Sequence, residues 1–422
     1  GELQAGDRLP PQRLVADRLG VDLTTVTRAY GAARERGLLE GAVGRGSFVR
    51  TPPADEAGVV DLTMNLPPPP QGVSLAQLLG DTAGAILRAS DPAVLMSYHA
   101  EFGTRGQRTA GARWLSPALG EVAPERVLVA PGAQAGLAAI LSALCRPGDA
   151  VVVDALTYPG MLSAARQLGL RLVGCPNDRN GMEPAALEAI CARERAAVVY
   201  LIPTLQNPTA VTMPLRRRRE IAAVTEAAGA WIVEDDPYSP LLDSAPPALA
   251  ALAPDRTFHI ATLAKCLSPG LRVAYLACPP EWTERIAAAL RAIALMPAPL
   301  MVAVATRWIN EGAARTLLGA VRAEARARRA LAAQLLPQAD GAAESIHVWL
   351  PLSQPQSAEH IRLRARERGL ALVTAEDFAA GPDHPSGARI SLGGAVTRTS
   401  LERALRAVGE VLAGGGPTRV IV

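Results

Sequence analysis

Apolar runs of strand length alternate with helical stretches over residues 126–278, and this alternation limits the fold more than any other feature of the chain. Examples of these strand-like runs are 126–130, 150–154, 197–202, 231–234 and 273–278. Parallel strands need a crossover connection, usually a helix, so this order predicts a parallel or mixed α/β sheet covered by helices. From about residue 296, a helix-rich segment leads to further strands near 345–350 and 389–392, which predicts a smaller second subdomain.

The start of the chain predicts a separate small unit. Residues 7–20 begin with a Pro pair and continue with an apolar stripe at helical spacing. Asp22 can then cap a second helix, and residues 38–50 have the pattern of two short strands around a Gly-rich turn. Helix, turn, helix and hairpin together predict a winged helix-turn-helix.

Between these two parts lies a segment rich in Pro, which predicts an extended tether over residues 51–71. The chain is therefore expected to contain a winged helix-turn-helix, a linker, a large subdomain and a small C-terminal subdomain. Their predicted bounds are 1–52, 53–72, 73–295 and 296–422.

Composition and cysteine spacing give no sign of a metal-binding or a membrane-spanning protein. The charged fraction is 20% and the formal net charge is +3, which argues neither for nor against a nucleic-acid partner. The five cysteines show no paired metal spacing, which predicts reduced thiols and no metal site. No apolar run has the length of a membrane span, so we expect a cytoplasmic protein with no membrane partner.

The basic residues are unusually distributed. Of 43 Lys and Arg residues, 42 are Arg and one is Lys, at position 265. Arg stays protonated, whereas Lys carries a primary amine that can lose its proton, attack a carbonyl and form a Schiff base. The alternative is that Lys265 is an ordinary surface residue that was retained by chance. The pattern favours a reactive amine at Lys265.

An aldehyde cofactor such as pyridoxal 5′-phosphate (PLP) needs an anion cradle as well as an amine. Arg272 follows Lys265 by seven residues and can reach a phosphate. The turn at 131–136 joins a strand to an apolar helix, whose free N–H groups can bind the same phosphate. That turn alone is equally compatible with an ordinary connection between strand and helix.

Candidates for the remaining cofactor contacts follow strand-like runs. Asp235 can hold a pyridinium proton, and Tyr238 and Asn207 can donate to the 3′-oxygen. Tyr158 can stack on the ring. Each residue by itself is equally explained as a strand-end carboxylate, a turn residue or a core tyrosine, so the prediction depends on their combination.

In this order and combination the residues resemble the fold type I PLP enzymes, the aspartate aminotransferase superfamily, over about 300 residues. The resemblance implies that Lys265 forms the aldimine with PLP, that Asp235 binds the pyridine nitrogen, and that Tyr238 has a catalytic position beside them. It also implies a phosphate cup. The residues of that cup are Gly132, Ala133, Gln134, Thr262 and Arg272.

Two further assignments follow from the same resemblance. Tyr98 resembles the tyrosine that reaches the phosphate of the neighbouring subunit, which implies a homodimer with shared PLP sites. Arg389 matches the arginine that grips a substrate or effector carboxylate in a bidentate fork.

The N-terminal unit resembles the DNA-binding domain of the GntR family. The matching residues run from Leu9-Pro-Pro-Gln through Leu19-Gly-Val-Asp and Thr25-Val-Thr-Arg to Gly44-Arg-Gly-Ser-Phe-Val. Such a domain fused to an aminotransferase-like domain resembles the MocR subfamily of bacterial transcription regulators. The chain opens at Gly1 without the first helix of that family, which suggests a truncated or processed N terminus.

The same resemblance implies contacts to a promoter operator. In the recognition helix and the adjoining segments, the expected DNA-binding residues are Arg13, Thr24, Thr25, Thr27, Arg28 and Arg45. The run of four arginines at 216–219 is interpreted instead as the exposed start of a helix.

Three functions remain open at this stage. The favoured one is a PLP-dependent regulator that senses an amino compound, or PLP itself, at Lys265. The second is a working aminotransferase with an appended domain, since Lys265, Asp235, Tyr238 and Arg389 are all retained. The third is a PLP-dependent lyase, which the sequence neither favours nor excludes.

Overall fold

The computed structural model describes residues 7, 9–35, 39–42, 46–49, 60–99, 102–352 and 358–413. The chain divides into two compact units, Gly1–Val59 and Val60–Val422. The predicted boundary at residue 72 therefore differs from the division of the structure, which lies between Val59 and Val60.

The first unit has the predicted order of helix, turn, helix and hairpin. Its elements are α1 (Gln12–Leu19), α2 (Leu23–Glu35), β1 (Leu39–Ala42) and β2 (Gly46–Val49), and the two strands are antiparallel. Gly20 ends α1 in the left-handed conformation, with φ of 63°. Ala16, Val26 and Tyr30 form the buried cluster between the helices.

The second unit is built on a seven-stranded sheet, as the alternation of apolar runs predicts. The strands are β4 (Val127–Ala130), β5 (Ala150–Asp154), β6 (Arg171–Cys175), β9 (Val198–Leu201), β10 (Trp231–Asp235), β11 (Thr257–Thr262) and β12 (Ala274–Ala277). Their order across the sheet is β4-β12-β11-β10-β9-β5-β6. The strand β12 pairs antiparallel with both of its neighbours, and the other pairings are parallel. The sheet is mixed and mostly parallel, which confirms the predicted fold class.

Helices cover this sheet. They are α3 (Leu75–Ala89), α4 (Pro92–Leu95), α5 (Arg105–Leu119), α6 (Ala133–Leu144), α7 (Pro159–Leu168), α8 (Pro184–Glu194), α9 (Leu215–Ala227), α10 (Leu249–Leu252), α11 (Thr283–Ala294) and α12 (Pro299–Glu311). A short hairpin, β7 (Asn177–Asp178) and β8 (Gly181–Met182), precedes α8. Strands such as β4, β5 and β11 are buried along their whole length, as expected for a sheet covered on both faces.

A smaller α/β layer follows in sequence. It contains α13 (Ala313–Leu335), β13 (His347–Pro351), α14 (Ala358–Glu367), β14 (Leu370–Ala371), β15 (Val373–Thr374), β16 (Gly387–Ser391) and α15 (Arg398–Leu412). The strands β13, β16 and β15 form an antiparallel sheet in that order. A second apolar core lies between this sheet and its helices.

The later part of the predicted tether is folded. The strand β3 (Val60–Asp61) pairs parallel with β14, and Leu62 is completely buried. A Cβ atom added at Gly393 or Gly394 would overlap a backbone carbonyl of this segment. The expectation of a free tether up to residue 71 is therefore wrong beyond Val60, because the two glycines allow the backbone to approach this closely.

The arginine run at 216–219 is only partly exposed. The helix α9 begins there, as interpreted, but Arg218 is 1% exposed. Its guanidinium donates to the carbonyl oxygen of Pro203 at 3.0 Å and to the hydroxyl of Thr204 at 2.8 Å. Because these acceptors satisfy its donors, this arginine is a structural residue of the interior.

Within the described ranges, no helix has both the length and the apolar character required to cross a membrane.

Candidate functional site

A cavity of about 320 Å³ lies at the carboxyl ends of the parallel strands. Asp235 ends β10 and Thr262 ends β11, so the sheet itself brings these two residues together. Eight of the predicted site residues line this cavity: Ala133, Tyr158, Asn207, Asp235, Tyr238, Thr262, Lys265 and Arg389. Thr63, Met64 and Asn65, from the folded part of the predicted tether, line it as well.

Lys265 lies at the end of a short 3-10 helix that directly follows β11. Its Nζ donates to the backbone carbonyl oxygen of Asn65 at 2.6 Å. Burial and the positive charge of Arg389 lower the pKa of Lys265 to about 8, and the carboxylate of Asp235 opposes this lowering. The amine is therefore neutral, and nucleophilic, in a larger fraction of molecules at neutral pH than an exposed lysine would be.

Asp235, which lines the same cavity, is buried. Its Oδ2 accepts a hydrogen bond from Tyr200 Oη at 2.9 Å. Its Oδ1 is buried and has no hydrogen-bond partner among the described residues. Burial raises the pKa of Asp235 to about 6, while the hydrogen bond from Tyr200 opposes this rise. A buried carboxylate oxygen without a partner is suited to a cationic N–H group of a ligand.

Asn207 and Tyr238 line the same cavity, and both are buried. Arg389 Nη1 donates to Asn207 Oδ1 at 2.9 Å. Because the oxygen of the amide faces Arg389, its Nδ2 is left to donate elsewhere. Arg389 also donates through Nη2 to the carbonyl oxygen of Thr63, and its guanidinium carbon lies 5.1 Å from the ring centroid of Phe378.

The predicted anion cradle surrounds the N terminus of α6. Gly132 precedes this helix with φ of 98°, and a Cβ atom there would lie 2.6 Å from Arg272 Nη2. The absence of a side chain at Gly132 therefore lets the guanidinium of Arg272 approach the free N–H groups of the first helical turn. Thr262 Oγ1 accepts from the N–H of Ala264 at 3.2 Å, which leaves its hydroxyl proton free to donate.

The Gln134 side chain is bonded to the start of α7. Its Nε2 donates to the carbonyl oxygen of Gly160 at 2.9 Å, which uses one of its two amide protons. Tyr158 is half-buried at the cavity wall. Burial raises the pKa of its hydroxyl.

Tyr98 lies outside this cavity. It is 80% exposed and lines a separate cleft of about 630 Å³ together with residues that include Val94 and Met296. Its predicted contact with a neighbouring subunit's cofactor stays a prediction.

The expected DNA-binding residues of the first unit are solvent-exposed where the structure describes them. These are Arg13 on α1 and Thr24, Thr25, Thr27 and Arg28 on α2. The hydroxyl of Thr27 lies 2.9 Å from both Gln12 Oε1 and the carbonyl oxygen of Leu23. Arg45 lies outside the described residues.

Several polar residues that contact the predicted set were missed from the sequence. Asn65, His347 and Tyr200 are each at most 5% exposed, and each bonds to a predicted residue or to a partner of one. A polar residue inside an otherwise apolar strand was an available signal for Tyr200 and His347. Asn65 carried no such signal, because it lies in the Pro-rich segment that predicts a tether.

Two family models match the chain. Residues 73–408 match "Aminotransferase class I and II", and residues 1–49 match "Bacterial regulatory proteins, gntR family". The HTH-type transcriptional regulator YdeF of Bacillus subtilis is 30% identical over 96% of this chain and 89% of that protein. The probable rhizopine catabolism regulatory protein MocR of Rhizobium meliloti is 28% identical over 76% of this chain and 71% of that protein.

Solved structures show the same fold. The α-aminoadipate aminotransferase LysN of Thermus thermophilus, complexed with N-(5′-phosphopyridoxyl)-L-leucine, has a TM-score of 0.78 and 26% identity over 90% of this chain and 97% of that one. The unpartnered Asp235 Oδ1 and the cradle at Gly132 fit the cofactor of this family, pyridoxal phosphate. The chain belongs to the aminotransferase class I and II family and, through its gntR-type N-terminal domain, to the MocR-type PLP-dependent transcription regulators.

Proposed function

We propose that the cavity binds PLP through Lys265 and that the occupied site responds to an amino compound that carries a carboxylate. The observation that carries this proposal is the convergence, in one cavity, of a buried amine with a lowered pKa and a buried carboxylate oxygen that has no partner in the described part of the chain. When bound, PLP supplies an aldehyde that condenses with primary amines and a ring that withdraws electrons.

The remaining cofactor contacts are proposed residue by residue. Asp235 holds the pyridine nitrogen, Asn207 Nδ2 and the Tyr238 hydroxyl donate to the 3′-oxygen, and Tyr158 stacks on the ring. The phosphate is bound at the start of α6. Its proposed ligands are Gly132, Ala133, Gln134, Thr262 and Arg272, with Tyr98 from a second copy of the chain in a homodimer.

The effector is proposed to bind beside the cofactor. Arg389 is a cation that can grip a carboxylate, and it lines the cavity with Lys265. When bound, the cofactor would offer its aldehyde to an effector amine in competition with Lys265, and this competition would alter how the dimer binds its operator. We expect a screen of amino compounds to change the spectrum of the bound cofactor, and the active compounds alone to change a gel shift on operator DNA. Spectral changes without any change in DNA binding would contradict the regulatory role.

Cofactor attachment should depend on pH through Lys265. Its pKa is lowered to about 8, so the nucleophilic neutral amine is largely present above pH 8 and is lost as the pH falls below it. We expect the rate of attachment to the cofactor-free chain to rise about tenfold per pH unit below this value and to level off above it. Stopped-flow absorbance across a pH series measures the rate. An inflection near the ordinary lysine pKa of about 10.4 would contradict the effect of burial.

DNA affinity should depend on the exposed face of α2. We expect Arg28→Ala to weaken operator binding by about 1–3 kcal/mol, because an arginine at a base edge or phosphate is lost. Gel shifts at two salt concentrations measure the change. Arg216→Ala is a matched control, since that side chain is exposed and pairs only with Glu220 at 2.9 Å among the described residues. Equal effects of the two substitutions would contradict a recognition role for α2.

A second function, catalytic transamination, has specific support. Lys265, Asp235, Tyr238 and Arg389, the four retained residues that keep this function open, line the same cavity. Incubation with an amino donor and a keto acid tests this function. Many turnovers per chain, together with no operator binding, would favour the enzyme over the regulator.

A further inference from the structure

A chain of buried hydrogen bonds lies behind Tyr238. His347 Nε2 lies 3.0 Å from the carbonyl oxygen of Gln206, and His347 Nδ1 lies 3.0 Å from Asn65 Nδ2. The same Nδ2 donates to Tyr238 Oη at 2.8 Å. Asn65, Tyr238, Gln206 and His347 are at most 5% exposed, so water does not compete for these contacts.

The hydrogen bond between His347 and the carbonyl oxygen of Gln206 determines which atoms donate and which accept in the other hydrogen bonds of this chain. A backbone carbonyl oxygen can only accept, so the proton of His347 is on Nε2. Burial, together with the positive charge of Arg389, lowers the pKa of His347 to about 3, so the ring is neutral and its Nδ1 is an acceptor. Nδ1 therefore requires a donor, and Asn65 presents its amide NH₂ group rather than its oxygen.

This orientation leaves one group of Asn65 unsatisfied. Its Oδ1 is buried without a partner among the described residues. A flipped amide would instead bring two acceptors, Oδ1 and His347 Nδ1, into contact. Two hydrogen bonds from Nδ2 outweigh one unpaired oxygen, so the histidine fixes the amide.

The amide in turn fixes the tyrosine hydroxyl. Tyr238 Oη accepts the second proton of Asn65 Nδ2, so its own proton is left to donate. Among the described residues no protein group accepts that proton, and Tyr238 lines the cavity. The backbone carbonyl of Asn65 meanwhile accepts from Lys265 Nζ, which keeps the whole residue at the site.

We propose that Asn65 and His347 are positioning residues that fix the Tyr238 hydroxyl as a hydrogen-bond donor into the cavity, toward the 3′-oxygen of the cofactor. The inference rests on the proposed function of the cavity as a PLP site. Neither side chain needs to touch the reacting atoms, since both act through the direction of one hydroxyl group.

The test uses the pH at which the visible absorbance of the bound cofactor titrates. A donor to the 3′-oxygen favours its anionic form, so Tyr238→Phe should raise this pH by about one unit or more. Asn65→Ala, which keeps the backbone carbonyl on Lys265, should raise it in the same direction by a smaller amount. The double variant should shift no further than Tyr238→Phe alone, because the amide acts only through the hydroxyl.

A pair of substitutions at His347 provides a rescue test. His347→Gln keeps one donor and one acceptor and should leave the titration near that of the unaltered chain. His347→Leu keeps neither and should shift it as Asn65→Ala does. Asn310→Ala removes an exposed asparagine that accepts from Arg113 at 3.0 Å and should leave the titration unchanged. Equal shifts for the two His347 variants, or full additivity of Asn65→Ala with Tyr238→Phe, would overturn the proposal.

A second measurement does not need the cofactor, and it still tests the proposal if some of the substituted chains fail to fold. The chain has five histidines, so selective ¹⁵N labelling of histidine gives a resolvable spectrum, and His347→Gln assigns the signal. His347 should stay neutral, with its proton on Nε2, across the pH range around 6.5 in which an ordinary histidine titrates. A proton on Nδ1 in a chain that binds PLP overturns this inference alone. A chain with the expected tautomer that binds no PLP overturns the proposed function, and the role of the two residues with it.

Discussion

A chain with Lys265→Ala should retain no covalently attached cofactor. Lys265 is the only lysine among 422 residues, so after the substitution no side-chain primary amine is left to condense with an aldehyde. Incubation with PLP, reduction with borohydride and intact-mass spectrometry measure the attachment. The unaltered chain should gain one cofactor mass, and the variant should gain none.

Lys265→Arg is the matched control for this experiment. It keeps a cation beside the carbonyl of Asn65, with a guanidinium that stays protonated. Loss of attachment in both variants assigns the effect to the nucleophilic amine rather than to the charge. One stoichiometric cofactor mass on the arginine variant would show that the N-terminal amine, and not position 265, had reacted.

The second large effect should follow Asp235→Asn. Its Oδ1 is buried without a partner and is proposed to meet the cationic ring nitrogen, and an amide provides no charge there. Loss of a charge-assisted hydrogen bond of about 1.5–3 kcal/mol corresponds to about tenfold to a hundredfold weaker cofactor binding. Titration of the cofactor-free chain, followed by absorbance, gives the dissociation constant.

Asp154→Asn controls for the loss of a buried carboxylate as such. Asp154 also ends a strand of the same sheet, and burial raises its pKa to about 6, as it does for Asp235. It accepts from Asn177 at 2.6 Å and does not line the cavity. If both substitutions weaken cofactor binding equally, Asp235 has no specific role.

The sheet was largely predictable from apolar patterning. The run at 150–154 matches β5, and the run at 231–234 differs from β10 by one residue. The strand β6 was missed, since it begins with the exposed Arg171 at the edge of the sheet. The strand β11 was missed because polar residues, including His259, interrupt its apolar pattern. Periodicity identifies strands whose faces are uniformly apolar, and it fails where buried polar groups are paired by distant residues.

Only some residues of the site were predictable from the sequence. Asp235 could be located because it directly follows a buried apolar strand, whereas Thr262 was identified only through the family resemblance. Asn65 could not, because it is 200 positions from Lys265 in sequence and its approach depends on the glycines at 393 and 394. Long-range backbone contacts of this kind leave no periodic signal.

The two cations of the cavity already have neutral partners. Lys265 and Arg389 donate to the backbone carbonyls of Asn65 and Thr63, so an entering molecule that uses the same N–H groups must replace these oxygens. A neutral ligand oxygen exchanges one dipole for another, with almost no net gain, whereas a carboxylate replaces a dipole with a full charge. These backbone carbonyls therefore compete with a ligand for the same N–H groups. The competition disfavours uncharged analogues of the effector without any steric barrier.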